Sequence, residues 1–263
     1  ASPSARRGPG GNGTSGCTCH MPLPGLILVR FFAREAALDS PQTRVSPAAS
    51  AAPAIASGTP AGLARAWLWL GVLALIGSGV LAVLLVLSRT PGIQDVFPLK
   101  DLFRAALVVH VDLSVAVWFM AFAAVIWCAV GGSGLASLGW SGVALAALGT
   151  ALMSVSPFFP GAEPVLNNYI PVLRQPLFLA SLWIFAAGAS LTVLRALITT
   201  WPRPFLGEPL RLGAFLGAVA AFLSLAAFFW SWAMVPWIEE TNYYEVLFWG
   251  GGHALQFQHA LLM

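Results

Sequence analysis

Beyond Arg65 the chain alternates long uncharged runs with short stretches of Pro, Gly or charge, a pattern that predicts membrane-spanning helices. The first covers residues 66–88, with Trp67 and Trp69 expected as interfacial aromatics at its start. The second covers about 102–130, the third about 135–153, the fourth 176–194 and the fifth about 212–235. A sixth starts near Asn242. From 246 to 263 it has 18 residues without Asp, Glu, Lys or Arg, short of the roughly 20 that cross a bilayer. The expected fold is all-α: a polytopic transmembrane helical bundle with five complete helices and a partial sixth, read as a fragment. Runs of this length exclude the alternating strands of a membrane barrel.

Composition agrees, since 58% of the residues are hydrophobic and 9% charged, against about 25% charged in soluble domains. The net charge is +3 with the basic residues spread over loops, which gives no face for nucleic acid. Residues 1–62 are rich in Ala, Pro, Ser and Gly and are expected to form a disordered or poorly ordered tail ahead of a membrane domain at 63–263. A cytoplasmic N-terminus puts nine of the 13 Lys and Arg inside, the orientation that the positive-inside rule favours. Glu239, Glu240 and Glu245 then face outward. The CTCH string ending at His20 is one residue short of the haem-attachment spacing, and Cys128 reads as a packed thiol.

Polar residues inside the apolar runs carry the functional question, because an ionisable group at membrane depth is costly and marks function by default. The second helix holds His110 and Asp112, and the sixth holds His253 directly behind Gly250, Gly251 and Gly252. Both helices enter from the outer face. His110 follows Asp101 by nine residues and His253 follows Glu245 by eight, so each lies roughly 12 to 14 Å below its flanking charge. Two imidazoles at one depth suggest prosthetic groups held between facing helices. The plainer alternative for each histidine is an interhelical hydrogen bond, and for the glycines a close packing surface. His259 lies about 120° around the helix from His253 and reads as a polar pathway or hydrogen-bonding residue.

The strings FRAALVVHVDLSVAVWFMAFAAVIW in the second helix and YYEVLFWGGGHALQFQH in the sixth resemble the corresponding helices of the haem-copper oxidase superfamily, cytochrome c oxidase subunit I-like. The resemblance implies a twelve-helix catalytic subunit with its metal centres in the outer half of a bacterial inner membrane. It makes His110 an axial ligand of a low-spin haem. It makes His253 the catalytic-site ligand, on the copper of a binuclear centre shared with a high-spin haem. The implied function is that of a respiratory terminal oxidase. Electrons pass through the low-spin haem to the haem-copper centre, which reduces O2 to water with proton uptake and often pumping. Implied partners are membrane lipid, other oxidase subunits, and cytochrome c or another electron donor. Asp112, Ser114 and Glu245 are candidates to hold the ligand rings through their second nitrogens. The fragment alone is expected to be inactive.

The chain departs from the family at Phe257. Many members have a tyrosine there, four residues after the ligand and joined to it. The departure points to cbb-like or more divergent branches, or to nitric oxide reductases. A proton-coupled transporter is the alternative from another class; it would use Asp112 and the histidines as a proton path, but the paired interrupted helices of such folds are not evident.

Overall fold

A computed structural model describes residues 59–92, 100–201, 209–236 and 240–262. The elements are α1 (Thr59–Ser88), α2 (Lys100–Asp112), a π-helical segment (Leu113–Val117), α3 (Trp118–Gly131), α4 (Ala136–Val155), a 3-10 turn (Ser156–Phe158), β1 (Glu163–Val165), β2 (Val172–Arg174), α5 (Pro176–Thr199), α6 (Pro209–Met234) and α7 (Glu240–Leu262). Five stretches, 60–88, 103–131, 136–158, 176–199 and 209–234, are helical, long and apolar enough to cross a membrane. They are the spans of an integral membrane protein, bathed by lipid on their outer faces. The second span is α2, the π segment and α3 in one rod, and α7 follows the fifth span as a sixth helix.

The tail expected over 1–62 lies outside the described residues up to residue 58, as do Cys17, Cys19 and His20. Residues 59–62 already belong to α1. This early start changes the role of Trp67, which sits two turns inside the helix and is buried, whereas Trp69 is 65% exposed. An indole two residues from its neighbour points to a different helix face, so Trp67 packs inside the bundle and Trp69 faces outward. The other helix ends differ from expectation by a few residues. The largest shift is at α5, which continues to Thr199 because Leu194, Arg195 and Ala196 stay helical and the chain first turns before Pro202.

In lipid, helices associate through close van der Waals contact rather than water exclusion, which puts small residues at the seams. The α4 and α5 backbones touch in this way. A Cβ built on Gly149 would lie 2.6 Å from the Phe185 nitrogen and 2.7 Å from the Ser181 oxygen, and one on Gly188 would meet the Ala146 nitrogen. Gly149→Val is therefore expected to destabilise the bundle by about 1–3 kcal/mol or more, the cost of overpacking against unyielding backbone. Thermal unfolding in detergent measures it; an unchanged midpoint contradicts the contact.

Two polar contacts tie the remaining helices. Trp127 Nε1 donates to the Ala214 carbonyl at 2.9 Å, joining α3 to α6. Arg195, 2% exposed, donates from Nε to the Gly134 carbonyl at 3.1 Å and from Nη2 to the Gly132 carbonyl at 2.7 Å. These oxygens follow the C-terminus of α3, where a cation is favoured. Its Nη1 lies 3.7 Å from Cys128 Sγ, so the thiol is packed as expected.

At the other end of the bundle, β1 and β2 form an antiparallel hairpin with Val165 opposite Val172. Apolar runs predict no element between the third and fourth helices, and the two strands are three residues each. β1 packs against both α2 and α7, so those two helices begin at the same end of the protein, and His110 and His253 lie toward it.

Candidate functional site

His110 sits one turn before the point where the second span changes register. Ser78, buried in the middle of α1, faces it. The His110 Nδ1 lies 2.9 Å from the Ser78 carbonyl oxygen and 2.8 Å from the Ser78 Oγ. A carbonyl only accepts, so Nδ1 carries the proton and Nε2 keeps its lone pair. Among the described residues nothing hydrogen-bonds Nε2. The Ser78 hydroxyl donates in return to the His110 carbonyl at 3.0 Å, and Ser114 Oγ reaches the same carbonyl at 2.8 Å. The π segment starts immediately afterwards, at Leu113. A π turn redistributes the amide donors of a helix and recurs at functional sites; here two hydroxyls gather on the carbonyl beside it.

His253 lies on the exposed stripe of α7 with Trp249 and Phe257. Its Nδ1 is 2.9 Å from the Trp249 carbonyl, one turn back. The Tyr169 hydroxyl, from the hairpin tip, stands 2.7 Å from Nδ1 and 2.9 Å from Nε2. The three glycines before it divide their work. Gly251 receives the Phe228 ring from α6, and Gly252 receives the Tyr169 ring; a Cβ at either would run into the aromatic carbons. Gly250 faces open space. Ser224 Oγ also donates to the Gly251 carbonyl at 2.6 Å. Two of the three are thus packing positions.

Among the described residues, none of the three expected to support the ligand rings hydrogen-bonds one. Asp112 is 1% exposed and its Oδ2 has no hydrogen-bond partner among the described residues. It follows His110 by two positions, which turns it to another face of α2. Ser114 bonds the His110 carbonyl rather than its ring. Glu245 is engaged by the hairpin, accepting from the Asn168 amide at 3.0 Å and its Nδ2 at 2.6 Å. The ring partners are instead Ser78 and Tyr169, both distant in sequence. His259 stacks on Phe119 with ring centroids 4.2 Å apart and makes no hydrogen bond among the described residues.

His110 therefore has one nitrogen tied to a main-chain carbonyl, the arrangement that fixes a metal-ligating imidazole, whereas at His253 the Tyr169 hydroxyl stands against both nitrogens. Among the described residues no group of three or more His, Cys, Asp or Glu converges to enclose a metal, so each would be one ligand among several. Removing the Ser78 hydroxyl leaves the carbonyl acceptor but frees the ring to swing. Ser78→Ala is expected to weaken any metal held by His110 by roughly 10-fold, the lower end for second-layer partners. Titration of the cofactor into the depleted full-length variant measures it, and unchanged affinity contradicts a positioning role for Ser78.

No family model matches the chain, and no solved structure does. It is similar to an uncharacterised protein of Rickettsia prowazekii (strain Madrid E), 29% identical over 76% of this chain and 45% of that protein. It is also similar to an uncharacterised protein of Aquifex aeolicus (strain VF5), 30% identical over 75% of this chain and 50% of that protein. The chain spans about half the length of the curated relatives it matches.

Proposed function

We propose that this chain is the first half of a haem-copper oxidase-like catalytic subunit, which takes electrons through a low-spin haem to a haem-copper centre and reduces O2 to water. The observation that carries the reading is His110, whose Nδ1 lies against the Ser78 carbonyl and whose Nε2 makes no hydrogen bond among the described residues. Neutral imidazole suits iron and copper and brings no charge into the bilayer. In this reading His110 is an axial ligand of the low-spin haem and His253 a ligand of the copper. Bound haem and copper would supply the electron transfer and oxygen chemistry. The chain's own residues fix the two rings and set their depth.

The rest of the subunit would supply the other ligands, bringing the helices to twelve. Two observations support further helices. The match covers only 45% and 50% of the curated relatives, and the exposed stripe of α7 carries His253 and Gln256, polar side chains that lipid would not favour. The subunit would lie in a bacterial inner membrane with its N-terminus cytoplasmic and receive electrons from cytochrome c or another donor, beside other oxidase subunits.

Phe257, four residues after His253 and 69% exposed on the same stripe, favours a second reading within this class, a nitric oxide reductase-like subunit. Membranes carrying the full-length protein separate the two. Oxygen consumption from a reduced donor is expected, and NO consumption without O2 consumption selects the second reading. Neither activity, with proton-driven solute uptake in its place, points to a transporter.

A further inference from the structure

Asp112 is the buried ionisable group that the reading above leaves unused. It lies nine residues into the second span, which begins at Phe103, so it stands roughly 13 Å along the rod from that end. Its side chain is buried, and its Oδ2 has no hydrogen-bond partner among the described residues. An ionised carboxylate in such a place needs a cation and several donors around it. Among the described residues, the elements packed on this part of the rod bring no cation to it. α1 has Arg65 as its one charged residue, 13 positions before Ser78 and so roughly 20 Å away along the helix. The π segment, the 3-10 turn and α4 have no charged residue, and α3 has Cys128 as its one titratable group. In the hairpin, Arg174 pairs with Glu163 at 3.2 Å. On α2 itself Lys100 and Arg104 come twelve and eight positions earlier, and His110 turns its ring to Ser78.

We propose that Asp112 is a proton-binding site inside the membrane, a carboxyl group that carries its proton as a neutral acid and exchanges it with water. A proton is the cation that fits a lone carboxyl, because it bonds directly to one oxygen and cancels the charge without further ligands. A metal ion would ask for several more oxygens, and no group of three or more His, Cys, Asp or Glu among the described residues encloses one. Ionisable residues kept at membrane depth mark proton relays and ion pathways. The helix changes register at the same place, since Asp112 immediately precedes the π segment, and such segments recur at functional sites. The exchange involves no redox change: the carboxyl O–H bond breaks as a water oxygen takes the proton, and the reverse step reloads the site. The site itself does not rest on the haem reading. That reading gives it a use, because reducing O2 to water takes up one proton with every electron.

The test is the infrared spectrum of the full-length protein in its membrane at neutral pH, where the carbonyl stretch of a neutral carboxylic acid stands clear of the amide and carboxylate bands. The difference between parent and Asp112→Asn is expected to contain one such band, lost completely in the variant. Replacing H2O by D2O is expected to move that band to lower frequency. Asparagine has nearly the same shape as the acid, so the bundle is expected to keep its fold. Labelling aspartate with carbon-13 at the side-chain carboxyl shifts the band in the parent itself, which decides the matter should the variant not fold. The band is expected in His110→Ala as well, so failure of the haem reading leaves the proton site standing. No acid band lost in Asp112→Asn, or none moved by the label, means an ionised Asp112 held by a cation and overturns the proposal. A band that is lost in the variant but indifferent to D2O describes a sealed structural acid, and it overturns the exchange and the relay role with it.

Discussion

His110→Ala in the full-length protein is expected to abolish the low-spin haem signal while the protein remains inserted and folded. An axial ligand lost leaves the iron without the six-coordinate state that defines a low-spin centre, and alanine keeps α2 apolar and helical. The competing account, a histidine that merely joins α1 to α2, predicts something different. In that case the substitution costs about 1 kcal/mol of hydrogen bonding and leaves the spectrum alone. His110→Gln sharpens the distinction, because its amide can still donate to the Ser78 carbonyl but is a poor iron ligand. Under the haem-ligand account it behaves like alanine; under the hydrogen-bond account it behaves like the parent. An unchanged low-spin spectrum in both variants removes His110 from the site.

His253→Ala is expected to lower O2 or NO reduction by more than about 100-fold, since second-layer partners of metal ligands alone cost 10- to 100-fold. Copper content falls with it, and the low-spin haem is retained. The fold should tolerate the change. His253 stands on an exposed stripe, while the packing of α7 on α6 and the hairpin depends on Gly251, Gly252 and the Ser224 hydroxyl, which are untouched. Full turnover with normal copper content would dismiss the assignment.

The helices were legible in the sequence because a bilayer demands long uncharged runs and leaves few alternatives. The direction of α2 and α7 was legible for the same reason, since alternating spans must enter from alternating sides. What escaped was every contact between distant segments. Ser78 sits in the middle of an apolar run as one small hydroxyl among Gly and Val residues, and only the crossing of α1 with α2 sets it against His110. Tyr169 lies in a loop whose string NNYI signals a turn but not where its ring lands. Conversely, nearness in sequence to the histidines misleads at three positions: Asp112 turns to another face of α2, Ser114 bonds the His110 carbonyl rather than the ring, and Glu245 is taken by Asn168. The GGG run was ambiguous between packing and open space, and both uses occur, with Gly250 open and its two neighbours packed. The π segment leaves no signature that composition or periodicity reveals.

The central claim is that His110 and His253 hold redox metals, and an optical measurement reaches it most directly. The full-length protein, purified from the membrane in mild detergent, is reduced with dithionite and its spectrum compared with that of the air-oxidised form, with haem and copper quantified on the same sample. The account predicts the sharp bands of a low-spin haem, a second haem that binds carbon monoxide, and copper in the same preparation, with the low-spin bands lost in His110→Ala. A folded preparation from cells replete in iron and copper, with no haem bands and no copper, would contradict it.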